Sequence, residues 1–188
     1  MSRKPIRGAA LAAALLLGAV AGAAAKAAAA PFWITPTIAG AGKMHPLPNG
    51  AYRPVPGETY KVVFLITHGG AKPTDIDPGL EHVARAVNLY VWAGVPLDHL
   101  KFVAIIAGPP TRIALDDAHY KQKFGVDNPN LALIAELRKA GVDVAVCGQA
   151  VAEANYKYRW VAQGVTLALS ALTTVTALEH DGYGLVPM

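Results

Sequence analysis

Three strongly apolar runs decide what this chain can fold into: Lys61–Thr67 (KVVFLIT), Lys101–Ala107 (KFVAIIA) and Val142–Cys147 (VDVAVC). Each is strand-length and rich in β-branched or aromatic residues, the pattern of a strand covered on both faces. Each also ends at glycine: His68-Gly69-Gly70, Gly108-Pro109-Pro110 and Gly148-Gln149. Starts at 61, 101 and 142 leave about 40 residues per crossover, enough for a helix between parallel strands. The expected fold is an α/β layered domain over residues 60–188.

The intervening segments carry helical signals. Asp77 is placed to cap a helix with Pro78 at its first position and Glu81 in its first turn; Leu80, Val83, Ala84, Val87 and Val91 mark one face, and Ala93-Gly94 ends it. A second helical stretch bears Ile113, Leu115, Tyr120 and Phe124 and breaks near Gly125. Asn128-Pro129 opens a third, with Leu131, Ile134, Ala135 and Leu137, that stops at Ala140-Gly141. Beyond Cys147, Gln149–Trp160 reads as helical or irregular, and Val165–Leu169 fits strand or helix equally. Ser170 caps a helix running to His180, and Leu185-Val186 is a short last strand.

Residues 1–30 have the form of a secretory signal: a basic start at Arg3, Lys4 and Arg7, an uncharged run from Gly8 to Ala25, and small-residue cleavage sites between Ala23 and Ala30. The expectation is removal and a periplasmic or otherwise exported protein, touching membrane only through that segment before cleavage. The alternative is an uncleaved anchor, since the run approaches spanning length. Cleavage removes Arg3, Lys4, Arg7 and Lys26 and no acid, so 17 basic against 13 acidic residues becomes 13 against 13. A neutral chain gives no electrostatic footprint for nucleic acid, and the short run Tyr156–Trp160 does not supply one. Residues 31–59, with six prolines and four glycines, read as an extended arm lying on the domain or on a neighbouring subunit.

The chemistry centres on Cys147, the only cysteine, which excludes an intrachain disulfide, a Cys-x-x-Cys pair and a multi-cysteine zinc site. A free cysteine is ordinarily a small core hydrophobe. Here it stands at a strand end followed by glycine, and amides of a helix starting at Gln149 would favour its thiolate. In a parallel sheet the strand C-termini share one edge, where ligand crevices form. That edge gathers Gly69, Gly70, Gly108, Gly148 and Gln149 as pocket-forming residues. It also holds His68, as proton acceptor or neighbouring charge to Cys147, or hydrogen-bonded within its own turn. Histidines 45, 82, 99, 119 and 180 fit solvated positions. Dinucleotide, phosphate-loop, Gly-x-Ser-x-Gly and His-Glu-x-x-His signatures are absent. No metal and no cofactor are expected.

Lys61–Thr67, Asp127–Leu137, Ala140–Gln149 with its Val-Cys-Gly-Gln, Ala168–Thr174 and Gly182–Met188 together resemble the exported branch of the DsrE/DsrF-like proteins. The resemblance implies a three-layer α/β sandwich with a mostly parallel sheet, related to flavodoxin-like folds, and assembly as a homo-oligomer, a trimer or a multiple of it. It also implies a sulfur-accepting role for Cys147, as a persulfide, with Gly148 and Gln149 shaping its pocket. Ala107 departs from the pattern, standing where exported relatives often carry histidine. Two functions remain open at this point: sulfane-sulfur transfer from a small donor or partner protein, or a non-catalytic oligomeric binding or scaffold protein with a buried cysteine. Redox sensing through an intersubunit disulfide is a third.

Overall fold

The computed structural model describes residues 31–188, which form one compact unit holding both core clusters; the expected signal segment lies outside the described residues. The elements are β1 (Tyr60–Ile66), α1 (Pro78–Trp92), β2 (Leu100–Ile106), α2 (Asp117–Phe124), α3 (Leu131–Lys139), β3 (Asp143–Cys147), α4 (Gly148–Glu153), β4 (Thr166–Ala168), α5 (Ala171–His180) and β5 (Gly184–Pro187). They build a five-stranded sheet in the order β4-β3-β2-β1-β5, parallel at every pairing. The expected α/β sandwich is present.

Strand alternation sorts the core into two unequal faces. Phe64, Ile66, Phe102, Ile106, Val144 and Val146 point to one side and pack with Leu80, Val83 and Val87 of α1 and Leu133, Ile134 and Leu137 of α3. Phe64, Phe102 and Tyr90 meet edge to face, with centroids 5.2 and 5.3 Å apart. The opposite face carries Val63, Ile105, Ala145 and Cys147 under Ala171 and Val175 of α5. Its alanines let that helix lie close to the sheet. Full burial of one large apolar side chain is worth about 1.5–3 kcal/mol, so the first face supplies most of the stability.

Local signals explain the helix ends. Asp77 Oδ1 accepts from the Gly79 amide at 2.9 Å with Pro78 in the first turn, as expected. Ser170 caps α5, and Gly125, in the left-handed region at φ 78°, ends α2. The stretch around Ile113 is not part of α2. Pro109–Ala114 forms 3-10 turns, and α2 starts only at Asp117, where Asp116 accepts from the His119 amide at 2.8 Å. Val165–Leu169 resolves as the short strand β4, pairing with β3.

Residues 31–59 are fastened to α1 by one side chain. Asn88, wholly buried in that helix, accepts from the Thr37 and Ile38 amides at 2.9 and 2.8 Å and donates to the Ala41 and Gly42 carbonyls at 3.0 and 2.9 Å. Ile38 and Met44 are buried beside it, and Arg85 Nε donates to the Lys43 carbonyl at 2.7 Å. Gly42 abuts the helix so closely that a Cβ there would lie 2.3 Å from backbone atoms of Ala84 and Arg85. An isolated antiparallel bridge pairs Ile34 with Met44.

Asn88→Ala strands buried donors and acceptors of the arm, so it should cost roughly 2–4 kcal/mol in urea denaturation and expose residues 31–59 to limited proteolysis. Unchanged stability would show that the arm contributes nothing to the fold. Asp77 gives a pH signature. Burial pushes its carboxyl above the ordinary value, against the pull of the Gly79, Leu80 and Gly70 amides and the Arg112 charge. The fold therefore prefers the protonated acid: stability tied to this group is full below its unfolded value, roughly pH 3.9, and is lost as pH rises through the raised folded value. The stability of the wild type minus that of Asp77→Asn should accordingly fall as pH rises above about 4. A flat or rising difference would contradict it.

Candidate functional site

The C-terminal edge of the sheet is built from four connections that lock to one another. After β1, Gly69 lies against the β2 connection so closely that a Cβ would sit 3.3 Å from the Pro110 Cα. The Gly70 carbonyl accepts from Arg112 Nη2, and Tyr120 donates its hydroxyl to the Pro73 carbonyl at 2.8 Å. Burial raises the Tyr120 phenol, which keeps it a donor there. Gly108, at φ 67° and ψ −136°, makes the sharp exit from β2.

Two buried asparagines tie these loops to α3. Asn128 Nδ2 donates to the Ile113 and Leu115 carbonyls at 2.8 and 2.7 Å, and its Oδ1 accepts from the Asn130 amide at 3.0 Å. Asn130 Oδ1 in turn accepts from the Asp77 amide at 2.7 Å. Asp77 Oδ2 and Arg112 Nε are buried with no hydrogen-bond partner, the orphaned polar atoms of this edge. Among the described residues no cluster of histidine, cysteine and carboxylate groups could hold a metal.

Cys147 ends β3 and stands at the N-cap position of α4, with φ −65° and ψ 115°. Its alternation places it on the α5 face, clustered with Val63, Ile105, Ala145, Ala150, Ala171 and Val175, and 6% exposed. It pairs in register with Ala168 of β4. Gly148 makes this pairing feasible, because a Cβ at that position would fall 2.8 Å from the Ala168 carbonyl oxygen. Gln149 Nε2 donates to the Leu169 carbonyl at 3.1 Å and laces α4 to the start of α5. Gly148, Gln149, Tyr158, Leu167, Ala168 and Leu169 line a cleft of about 210 Å³ that begins one residue along the chain from Cys147, which does not itself line it.

Of the six other expected site residues, five divide into two groups. Gly148 and Gln149 surround Cys147; Gly69, Gly70 and Gly108 surround Pro110 and Arg112. His68 belongs to neither. Its Nδ1 lies 3.2 Å from both Thr67 Oγ1 and the Met188 carbonyl, which ties it to its own turn and to the chain end. Strand β2 runs between β1 and β3, which puts their ends roughly 10 Å apart across the sheet, and no hydrogen bond links His68 to the cysteine. Arg112, Asn128 and Asn130, which organise the edge, were not among the expected site residues, although Asn128 and Asn130 lie in the Asp127–Leu137 run. The density of turn formers in Asp127-Asn-Pro-Asn130 was the one available signal.

Chemically, the arrangement offers a single thiol at a strand end, shielded by small side chains, near a cleft whose polar side chains are the Gln149 amide and the Tyr158 phenol. That suits thiol exchange at sulfur. Among the described residues no carboxylate and no second cysteine lines that cleft.

Comparison with known proteins agrees with this architecture. A solved structure of a protein of unknown function from Methanobacterium thermoautotrophicum superposes with a TM-score of 0.50 at 16% identity, covering 69% of this chain and 99% of that one. At that identity the likeness shows the fold alone. No curated protein matches the chain. The sequence profile of the DsrE/DsrF-like family matches residues 60–187, from the first residue of β1 to the last of β5. On that span, and on the parallel sheet that carries Cys147 at its edge, the chain belongs to the DsrE/DsrF-like family.

Proposed function

We propose that Cys147 accepts sulfane sulfur from a small polysulfide-type donor or from a partner protein and passes it on as a persulfide. The family suggests a sulfur-relay related role. The observation that carries the reading to a residue is the position of the sole cysteine, at the end of β3 and the start of α4 beside an open cleft. The proposal extends to export, on the leader pattern of residues 1–30, and to assembly as a homotrimer or a multiple of it, on the family resemblance. Export separates the protein from cytoplasmic relays, so the acceptor is a small thiol or an exported protein rather than transfer RNA.

The step balances without oxidant, metal or cofactor. The Cys147 thiolate attacks the terminal sulfur of a donor persulfide; a new S–S bond forms at Cys147, the donor S–S bond breaks, and its electron pair leaves with the donor thiolate. Delivery is the same exchange in the opposite sense. A second reading has its own support: the 6% exposure of Cys147 among alanines and valines suits a structural thiol in a non-catalytic binding protein.

Incubating the folded protein with inorganic polysulfide separates the two. Intact-mass measurement should show a gain of about 32 Da, removed by a reducing thiol and absent from Cys147→Ser. No gain on the wild type assigns the cysteine to the core. A second variant tests the cleft. Gly148→Ala presses a methyl group onto the Ala168 carbonyl, should cost about 1–3 kcal/mol of stability, and should change the rate of sulfur uptake by displacing β4. An unaltered rate would show that the β3–β4 contact does not shape access to the thiol.

A further inference from the structure

The family match begins at residue 60, so the arm of residues 31–59 is a feature of this chain beyond the shared domain. Two properties set it apart. From Pro31 to Gly57 there is no aspartate or glutamate, while Lys43 and Arg53 are both present. It also exposes large apolar side chains: Phe32, Trp33, Leu47 and Tyr52 are 64%, 54%, 63% and 103% accessible.

These side chains are fixed and contiguous. The Asn88 clamp holds the arm on α1, so they stand on a rigid base. His45 joins them into one surface. Its ring stacks on Phe32 with centroids 4.0 Å apart, meets Trp33 edge-on at 6.1 Å, and lines a cleft of about 300 Å³ with Leu47, Tyr52, Arg53 and Trp92. No acid lines that cleft. The Arg53 guanidinium lies 4.8 Å over the Trp92 ring, and its Nη1 donates to the Leu47 and Pro48 carbonyls at 3.3 and 3.0 Å. Tyr52 holds φ at 54°, a region that bulky residues rarely adopt, with its ring turned wholly into solvent.

We infer that this surface is a contact site for an anionic lipid–water interface. Exposed tryptophan, phenylalanine and tyrosine with Arg53 among them, Lys43 on the same segment, and no carboxylate lining their cleft match the interfacial zone of a bilayer, where aromatic rings settle at headgroup level and cations meet lipid phosphates. Chain connectivity supports the same occupant. The uncharged run ends at Ala25, and the five residues that follow span at most about 20 Å, so Pro31 stays close to the bilayer for as long as the leader is attached. A second copy docking by the same patch is disfavoured, because it would bring Arg53 of both copies together with no carboxylate lining the cleft to receive them. The inference is independent of the role of Cys147.

Flotation of the compact unit 31–188 with lipid vesicles tests it. Vesicles of phosphatidylcholine containing about 30% phosphatidylglycerol should carry the protein upward, phosphatidylcholine alone much less, and about 0.5 M salt should weaken the binding. The double variant Phe32→Ser/Trp33→Ser removes exposed side chains only, so its circular dichroism and melting should match the wild type while binding falls roughly tenfold or more. Lys43→Gln/Arg53→Gln should lose the preference for phosphatidylglycerol. Failure to float with either vesicle would overturn the inference. So would flotation unaffected by Phe32→Ser/Trp33→Ser, or a lipid-free dimer that this double variant makes monomeric, which would assign the patch to a second copy.

Discussion

The site depends on a close approach of two backbones. At the end of β3 the chain turns into α4 with the Gly148 backbone so near the Ala168 carbonyl that no Cβ fits between them. That approach lets β4 pair with the last residues of β3, Cys147 with Ala168 included, and brings Leu169 within reach of the Gln149 amide. Any larger residue at 148 would force β4 outward and uncover the thiol from that side. A glycine after a strand-ending cysteine is thus a packing requirement first, and the cleft beside the sulfur follows from it.

The unequal faces of the sheet complement that local constraint. Phenylalanine, isoleucine and leucine against α1 and α3 provide the bulk of the buried apolar surface. The other face, with alanines and a cysteine under α5, contributes less and packs thinly around the sulfur. The proposed sulfur-accepting position therefore lies where repacking costs least. The loops opposite are the reverse: Arg112, Tyr120, Asn128 and Asn130 join successive connections by side chain to backbone, which makes the β1 and β2 side of the edge rigid.

Much of this was legible because it is local. Continuous apolar runs marked β1, β2 and β3, and Asp77-Pro78 and Ser170 marked the starts of α1 and α5, each signal acting within a few residues of where it is read. The segment around Ile113 reads as α-helix and folds as 3-10 turns, because apolar spacing does not tell the two apart and the cap at Asp116 comes after it. Asn88 was invisible in a different way: an asparagine on the buried face of α1 breaks the apolar pattern, and its partners lie some 50 residues away. At the site, the strand-end position of Cys147 followed from its own run. The distance from His68 did not, since it depends on strand order, and order is decided by the packing of the whole sheet.

The central claim is that Cys147, although covered, reacts from the native fold through the thin layer formed by β4, α4 and α5. Its labelling rate with a maleimide as a function of urea tests this most directly. The account predicts a rate that is finite without denaturant and flat at low urea, because local opening of that layer exposes little surface. A rate that rises exponentially from the first additions of urea, with the slope of global unfolding, would show that the thiol is reached only when the protein unfolds, and would contradict it.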